Sequence, residues 1–224
     1  MPEDNNHAQR LGAAAKVLDI ELDSGQADAL IGYMAQLQRW NRTYNLTALR
    51  DPDQMLVQHL FDSLAVLKPV SNILYKKPVN KPCIVDVGSG AGLPGAVLAI
   101  MQPQWQVYCV DAVEKKMAFV RQVAGVLRLP NLHAVHARVE SLPPYGADIV
   151  ISRAFASLID FATLAGPHVA KEGQLVAMKG REPKDEIDTL EQQTDWRTAH
   201  IQQLRVPELN AQRCLVWLSR QGTP

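Results

Sequence analysis

The stretch from Ile84 to Gly95, IVDVGSGAGLPG, sets a carboxylate at the end of an apolar run just before a glycine-rich turn. Gly90, Gly92 and Gly95 satisfy the G-x-G-x-x-G spacing that lets a backbone approach the diphosphate of a dinucleotide. Gly88, Gly90 and Gly92 also permit φ > 0 with no Cβ between chain and ligand. Asp86 bears on the charge of that ligand. At the strand tip it repels a diphosphate and attracts a cation, by roughly 4 kcal/mol for unit charges about 4 Å apart in a partly solvated site. S-adenosylmethionine carries a sulfonium and an ammonium and no phosphate, so Asp86 favours it. Asp111, about twenty residues further on at the tip of the next apolar run, is placed to accept hydrogen bonds from ribose hydroxyls. That role serves nicotinamide and methyl-donor sites alike. Three readings stand at this point: a methyltransferase, a nicotinamide-dependent oxidoreductase using the same glycines, and a binding module that keeps the pocket without transferring a group.

Methyl transfer is an in-line displacement in which alignment of nucleophile and methyl carbon does most of the work, so no catalytic dyad is required. Absences then carry information. Methylation of pyrimidine carbon 5 needs a cysteine near the tip of the fourth strand, where the chain reads Ile151-Ser152-Arg153-Ala154-Phe155. Methylation of exocyclic amines commonly uses Asn or Asp before Pro-Pro-Tyr just after that strand. Here Leu142 precedes Pro143-Pro144-Tyr145, which comes before the strand and reads as a turn. A nucleophile with an in-plane lone pair and no proton to lose, such as guanine N7, fits what remains, because it needs no general base.

The elements that must position these residues follow from periodicity. Apolar Ala27, Leu30, Ile31, Met34 and Leu37 recur at helical spacing within Gln26 to Trp40, with Asp23 and Gln26 as a capping box. Asp51 as N-cap, Pro52 at the first helical position and Gln54 predict a second helix to about Leu67. Lys68 to Pro82, rich in Pro, Lys and Asn, reads as a linker or inserted loop. Beyond it strand and helix alternate. Strands are predicted at Cys83 to Val87, Gln106 to Asp111, Leu132 to Ala137, Ala147 to Ser152 and Gln174 to Lys179. Helices are predicted at Gly95 to Met101, Glu114 to Leu129, Leu158 to Ala170 and Lys184 to Gln192, and two more strands near Ala199 to Val206 and Arg213 to Ser219. Such alternation builds an α/β, mostly parallel sheet with ligands at the carboxyl ends of its strands. The domain reading is an N-terminal helical extension over residues 1–67, a linker over 68–82 and a Rossmann-like domain over 83–224.

Lys plus Arg and Asp plus Glu each number 23, so no net charge draws the whole molecule to nucleic acid or lipid, and a polyanion must be met by a local patch. Candidates are Arg39, Arg42 and Arg50, then Lys115, Lys116 and Arg121, then Lys179 with Arg181. The 3 cysteines, Cys83, Cys109 and Cys214, lie far apart in apolar runs and read as buried strand residues, with no metal site. The N-terminus has no apolar core of a signal peptide, and no run is long enough to span a bilayer, so a cytoplasmic protein is expected.

Several longer stretches then resemble one family: Trp40-Asn41 with Tyr44-Asn45-Leu46-Thr47, Arg50-Asp51-Pro52, His59-Leu60 with Asp62-Ser63, Gly88 to Gly95, Ile151 to Ser157 and Lys179-Gly180. They look like the bacterial 16S ribosomal RNA guanine-N7 methyltransferases, also called glucose-inhibited division protein B. The resemblance covers almost the whole chain. It implies a class I S-adenosylmethionine-dependent methyltransferase, Rossmann-like with a seven-stranded sheet ending in an antiparallel hairpin. The implied substrate is a guanosine in a decoding-region loop of 16S rRNA, met in the small ribosomal subunit or its RNA by a monomer. Carried onto this chain, the family's S-adenosylmethionine contacts fall on Gly88, Leu93, Asp111, Val139, Glu140 and Arg153, beside Asp86, Gly90 and Gly92. Ala91 stands where many members have proline, and the segment from Lys68 to Pro82 is longer than usual. Arg153 and Lys179, both at carboxyl ends of strands, are the candidate catalytic residues facing RNA. His59 reads as packing, and Trp40 and Tyr44 as core rather than base-stacking platforms.

Overall fold

The computed structural model describes residues 2–76 and 80–222. A seven-stranded sheet runs in the order β3-β2-β1-β4-β5-β7-β6. Its strands are β1 (Cys83–Val87), β2 (Gln106–Asp111), β3 (Leu132–His136), β4 (Ala147–Ser152), β5 (Val169–Lys179), β6 (Trp196–Leu204) and β7 (Arg213–Arg220). The first five pair in parallel, and β7 enters antiparallel between β5 and β6. Strand β1 lies between β2 and β4, so chain order reverses beside it and opens a crevice at the carboxyl ends.

Both faces of the sheet are covered, which is why its strands read as near-continuous apolar runs. Alternate side chains serve two cores. Ile84, Val107, Ile149, Ile151, Val176 and Trp217 enter one. Val85, Val87, Val110, Val150, Leu175 and Val216 enter the other. The second core is closed by α8 (Leu158–Ala165) and α9 (Lys184–Gln193). The first is closed by α6 (Gly95–Met101), α7 (Glu114–Val126) and the whole N-terminal helical layer. That layer begins with α1 (Pro2–Val17) and α2 (Ser24–Tyr44) and shares one continuous core with the sheet.

The capping signals act as expected. Asp23 accepts from the Gln26 N–H while the Gln26 side chain reaches back to Asp23, and Asp51 accepts from the Gln54 N–H with Pro52 following. Four features differ from expectation. The helix expected over Leu158 to Ala170 stops at Ala165, where a 3-10 turn containing Pro167 leads into β5 from Val169. Helix α1 is absent from the sequence reading, because its polar surface gives weak periodicity and only Leu11, Ala14 and Ala15 of its described side chains are fully packed. The predicted helix after Asp51 is interrupted: α3 (Pro52–Met55) passes into a π-helical segment, Leu56–Phe61, and a last turn α4 (Asp62–Leu64). The Asp62 N–H reaches back to the Val57 carbonyl, the wide hydrogen bond of a π turn. The expected linker from Lys68 to Pro82 starts instead as helix α5 (Leu67–Leu74). Pro69 falls in the first turn, where backbone N–H groups have no helical partner, and Leu67, Val70 and Leu74 bury one face. Residues 77–79 of that stretch lie outside the described residues.

Candidate active site

The loop leaving β1 is gripped from three directions. From beneath, Asp86 Oδ2 accepts the Gly95 N–H at 2.8 Å, tying the strand end to the first turn of α6. From the side, Asp111 Oδ2 accepts the Gly90 N–H at 2.9 Å, and Oδ1 accepts the Val113 N–H at 2.9 Å. From the helical layer, the buried Tyr33 hydroxyl donates to the Ala91 carbonyl at 2.8 Å. The chain turns through positive φ at Gly88, Gly90 and Gly92 (66°, 60° and 84°).

These glycines do different jobs. A Cβ on Gly88 would come within 3.0 Å of Ala154 Cβ, and one on Gly92 within 3.0 Å of Val120 Cγ2. At Gly95 it would sit 2.5 Å from Cys109 Sγ and 2.9 Å from Asp86 Oδ2. Those positions are glycine because the protein itself packs there. At Gly90 a Cβ would meet nothing within 4 Å, so this residue alone of the four offers bare backbone to open space. Asp111, 7% exposed, stands beside it at the tip of the neighbouring strand β2.

Asp86 corrects the expectation that its carboxylate faces a cationic ligand. The residue is 0% exposed and its Oδ1 has no partner among the described residues. Burial pushes the carboxyl up to about 7, while the Gly95 N–H and the Arg153 charge work the other way and Asp111 adds to the rise. Its place is under the loop, as the brace of the turn. An exposed carboxylate would attract a cationic ligand; this one is covered and meets none directly. Leu93 is buried in the same loop. Val139 is buried in a short 3-10 turn after β3, where its carbonyl meets His168 Nε2 at 3.0 Å, and Glu140 beside it is exposed.

At the ends of β4 and β5 the chemistry changes to ion pairs. Arg153 Nη1 donates to Asp62 Oδ2 and to the Gln58 carbonyl, each at 3.2 Å. Arg213 Nε donates to Asp62 Oδ1 at 3.0 Å. Asp62, with its side chain 2% exposed, therefore joins two guanidinium groups, one from the residue after β4 and one from the start of β7. Lys179 Nζ pairs with Glu186 Oε2 at 2.8 Å and reaches the carbonyls of Phe155 and Ala156 at 3.4 and 3.5 Å. Glu186 Oε2 also accepts the Leu158 N–H, so this pair fastens the segment after β4 to α9. A cavity of about 460 Å³ lies over these groups, lined by Leu49, Gln58, His59, Met178 and Gly180 besides Asp62, Arg153, Lys179 and Arg213.

His59 is both packed and placed on that cavity. Its Nε2 lies 2.9 Å from Thr47 Oγ1, and burial, with the Arg153 charge, pushes it down to about 4, so the ring is neutral near pH 7. Trp40, partly buried, packs edge-on against Phe119 at the margin of the core, whereas Tyr44, its ring tilted 40° to that of Trp40, is 46% exposed. The structure thus brings Arg153 and Lys179 to one cavity, and Gly88 to Leu93 with Asp111 form a separate constellation at the ends of β1 and β2, which meets the segment after β4 where Gly88 packs on Ala154. Tyr33, Gln58, Glu186 and Arg213 were not singled out from the sequence. Asp62 carried a readable signal: a carboxylate among Leu56, Leu60, Phe61 and Leu64 has to find a buried cationic partner. Cys109 and Cys214 are buried and Cys83 partly so, all as free thiols. Among the described residues no helix is long and apolar enough to cross a membrane, and no cluster of metal-ligating side chains occurs.

Comparison with known proteins places this geometry. The family described as GidB, rRNA small subunit methyltransferase G, matches residues 26–216. The protein named ribosomal RNA small subunit methyltransferase G of Bordetella petrii is 63% identical over 215 residues, 96% of this chain and 84% of that one. Its namesake in Bordetella avium is 58% identical over 224 residues, covering 100% and 98%. Among solved structures, a SAM-dependent methyltransferase from Aquifex aeolicus superposes with a TM-score of 0.56 at 18% identity, over 78% of this chain and 96% of that chain. Methanocaldococcus jannaschii TYW2, solved in complex with AdoMet, gives 0.51 at 11% identity, over 71% and 76%. Both likenesses are of fold.

Proposed function

The chain belongs to the rRNA small subunit methyltransferase G family, and from that premise we propose that it transfers a methyl group from S-adenosylmethionine to N7 of one guanosine in a decoding-region loop of 16S rRNA. The observation that carries the reading is the open backbone at Gly90, locked by Asp111 at the carboxyl ends of β1 and β2, in a sheet whose next strands, β4 and β5, end at a cavity lined by Arg153 and Lys179. A dinucleotide-dependent oxidoreductase is set aside by the family match.

S-adenosylmethionine, when bound, supplies a methyl group on a positively charged sulfur. Gly88, Gly90, Gly92 and Leu93 would form its cradle, with Asp111 for the ribose hydroxyls, Val139 and Glu140 beside the adenine, and Arg153 at the end of β4 as a further contact to the cofactor. Asp86 acts from beneath, by keeping the loop in the shape those contacts require. Guanine N7 presents a lone pair and loses no proton, so the protein needs no general base and its work is alignment. Arg153 and Lys179 are the proposed catalytic residues on the RNA side. Both line the cavity, and Lys179 also fixes the carbonyls of Phe155 and Ala156 next to it. The same reading has the protein act as a monomer in the cytoplasm, on rRNA or the small subunit.

The test is incubation with methyl-labelled S-adenosylmethionine and small-subunit RNA, followed by strand scission at N7-methylguanosine. Label at one guanosine of a decoding-region loop is the expected result. Label at another atom, or none on any ribosomal substrate, overturns the reading. Alanine at Arg153 or Lys179 should lower transfer to RNA more than affinity for the methyl donor.

A further inference from the structure

Helix α2 ends in an aromatic ring that the core does not use. Tyr44 is 46% exposed, and its ring lies beside that of Trp40, four residues back on the same helix, with centroids 5.0 Å apart. Trp40 is anchored in turn on the buried Phe119 of α7 at 5.6 Å. One exposed apolar residue needs no explanation by itself, but the segment around this one is held rigidly. Asn45 caps α2 in the left-handed conformation with its N–H on the Asn41 carbonyl. The buried Asn41 side chain accepts the Thr47 N–H at 2.9 Å and donates to the Leu49 carbonyl at 2.8 Å, so the turn after Tyr44 is pinned back on the helix.

Charge and position mark what the ring could meet. From Gln38 to Arg50 the chain carries Arg39, Arg42 and Arg50 and no acid, and all three arginines are exposed. Exposed Lys115, in the first turn of α7, donates from Nζ to the Tyr44 carbonyl at 2.8 Å. Glu114 beside it is engaged by Arg121 and His136. Tyr75 makes the contrast. It is 66% exposed, but its hydroxyl is on Gln102 and it shares a pocket with Asp19, Glu21 and Asp23, where Lys68 is taken up by Asp19 and a polyanion is repelled. Tyr44 also borders the site. Lys116, next to Lys115, has its Nζ 3.7 Å from Asp111 Oδ2. In the other direction Thr47 meets His59, which lines the 460 Å³ cavity together with Leu49. Tyr44 stands outside that lining, at most about 18 Å of chain from Leu49.

We propose that Tyr44 is a stacking platform for one unpaired base of the substrate RNA that flanks the methylated guanosine, with Arg42, Arg50 and Lys115 drawing the backbone toward it. This rests on the RNA-methyltransferase reading and adds a recognition element outside the cavity. Single-stranded loops can splay a base onto an aromatic ring. Every base has a π face, so the contact holds the strand without choosing its sequence. A neutral ring displaces no counterions, so removing it changes affinity and leaves the salt dependence alone, the reverse of what removing a cation does.

The test uses full-length protein saturated with S-adenosylhomocysteine and a fluorescently labelled fragment of small-subunit rRNA carrying a decoding-region loop, with binding followed as salt is raised. Tyr44→Ala and Tyr44→Leu should each weaken binding about tenfold, with the slope of log affinity against log salt unchanged. Tyr44→Phe and Tyr44→Trp keep a ring and should bind like the original protein. Calorimetry should find cofactor affinity unchanged in all four. With 2-aminopurine substituted in turn at the loop bases beside the guanosine, one position should be quenched by the original protein and not by Tyr44→Leu. Original affinity in Tyr44→Ala, or no position at which the two proteins quench differently, overturns the platform. Tyr44→Phe as weak as Tyr44→Ala overturns it in favour of the hydroxyl, and a loss of cofactor affinity overturns it in favour of a structural role. Binding needs no turnover, so protein that binds the fragment but transfers no methyl sinks the activity alone, and protein that transfers methyl while Tyr44→Ala binds undiminished sinks the platform alone.

Discussion

The two ends of the crevice are held by different kinds of bond. Around β1 and β2, short side chains grip backbone: Asp86 takes the Gly95 N–H, Asp111 takes those of Gly90 and Val113, and Tyr33 gives its proton to the Ala91 carbonyl. Around β4 and β5, long charged side chains grip one another: Asp62 with Arg153 and Arg213, and Lys179 with Glu186. Buried hydrogen bonds to backbone fix a loop in one shape, which suits a small ligand of constant form. Pairs of flexible cations with part of their surface exposed can exchange a carboxylate for a phosphate, which suits a polymer that must arrive and leave. The contrast implies that perturbing the first end changes stability and cofactor affinity, and perturbing the second changes the use of RNA.

The largest expected effect tests the rigid end through pH. The Asp86 carboxyl is raised to about 7 from an ordinary 3.8, so the folded state binds the proton more tightly than the unfolded one. Its contribution to stability is complete below about pH 4 and is lost as pH rises through 7. Asp86→Asn keeps an acceptor for the Gly95 N–H and escapes that loss. Relative to the original protein, the variant should gain stability by up to about 4 kcal/mol between about pH 4 and pH 8, three units at about 1.36 kcal/mol each. Denaturant unfolding across that range measures it. A difference that does not grow with pH would show the carboxyl to be ionised and settled, and the covered brace would be a misreading.

Asp111→Ala comes next. It strips the acceptor from two backbone N–H groups and from the ribose, so cofactor binding should weaken by about 3 kcal/mol, roughly a hundredfold, as read by calorimetry. At the adjustable end, Glu186→Gln leaves Lys179 without its counter-charge and loosens the segment that follows Arg153. It should lower kcat/KM for rRNA about tenfold, near 1.4 kcal/mol, with cofactor affinity intact. A fall in cofactor affinity instead would erase the distinction between the two ends. The smallest expected effect belongs to Tyr33→Phe. It deletes one buried hydrogen bond to the loop, and about 1 kcal/mol, a fivefold weaker cofactor affinity, should follow. Should Tyr33→Phe affect only RNA, the helical layer would be serving the substrate end rather than bracing the loop.

Much of this organisation was legible in the chain. Strands β1, β2 and β4 fall where apolar runs end in Asp86–Val87, Asp111 and Ser152, and α2 and α3 start at the caps read from Asp23 and Asp51. Capping and periodicity are local, so a linear string records them. Helix α1 and helix α5 escaped because each is fixed by the neighbour it packs on. In α5 the proline and lysine that signal a loop are accommodated in a first turn and on an exposed face. At the site, the residue types and the glycine spacing were readable, and the resemblance pointed to Arg153. What each residue touches was not.

The amino-acid order by itself determined where strands and helices begin, which loop offers bare backbone and which strand ends carry acids, because those depend on neighbours a few positions away. Tertiary structure alone decided that Asp86 is covered rather than exposed. It alone decided that Asp62 meets Arg153 and Arg213 across 91 and 151 residues of chain, and that Gly90 opens outward where Gly88, Gly92 and Gly95 are filled by protein. Burial and pairing of charge are properties of distance in space, and sheet order, with β4 and β7 folded back beside β1 and β5, sets those distances only once the chain has closed.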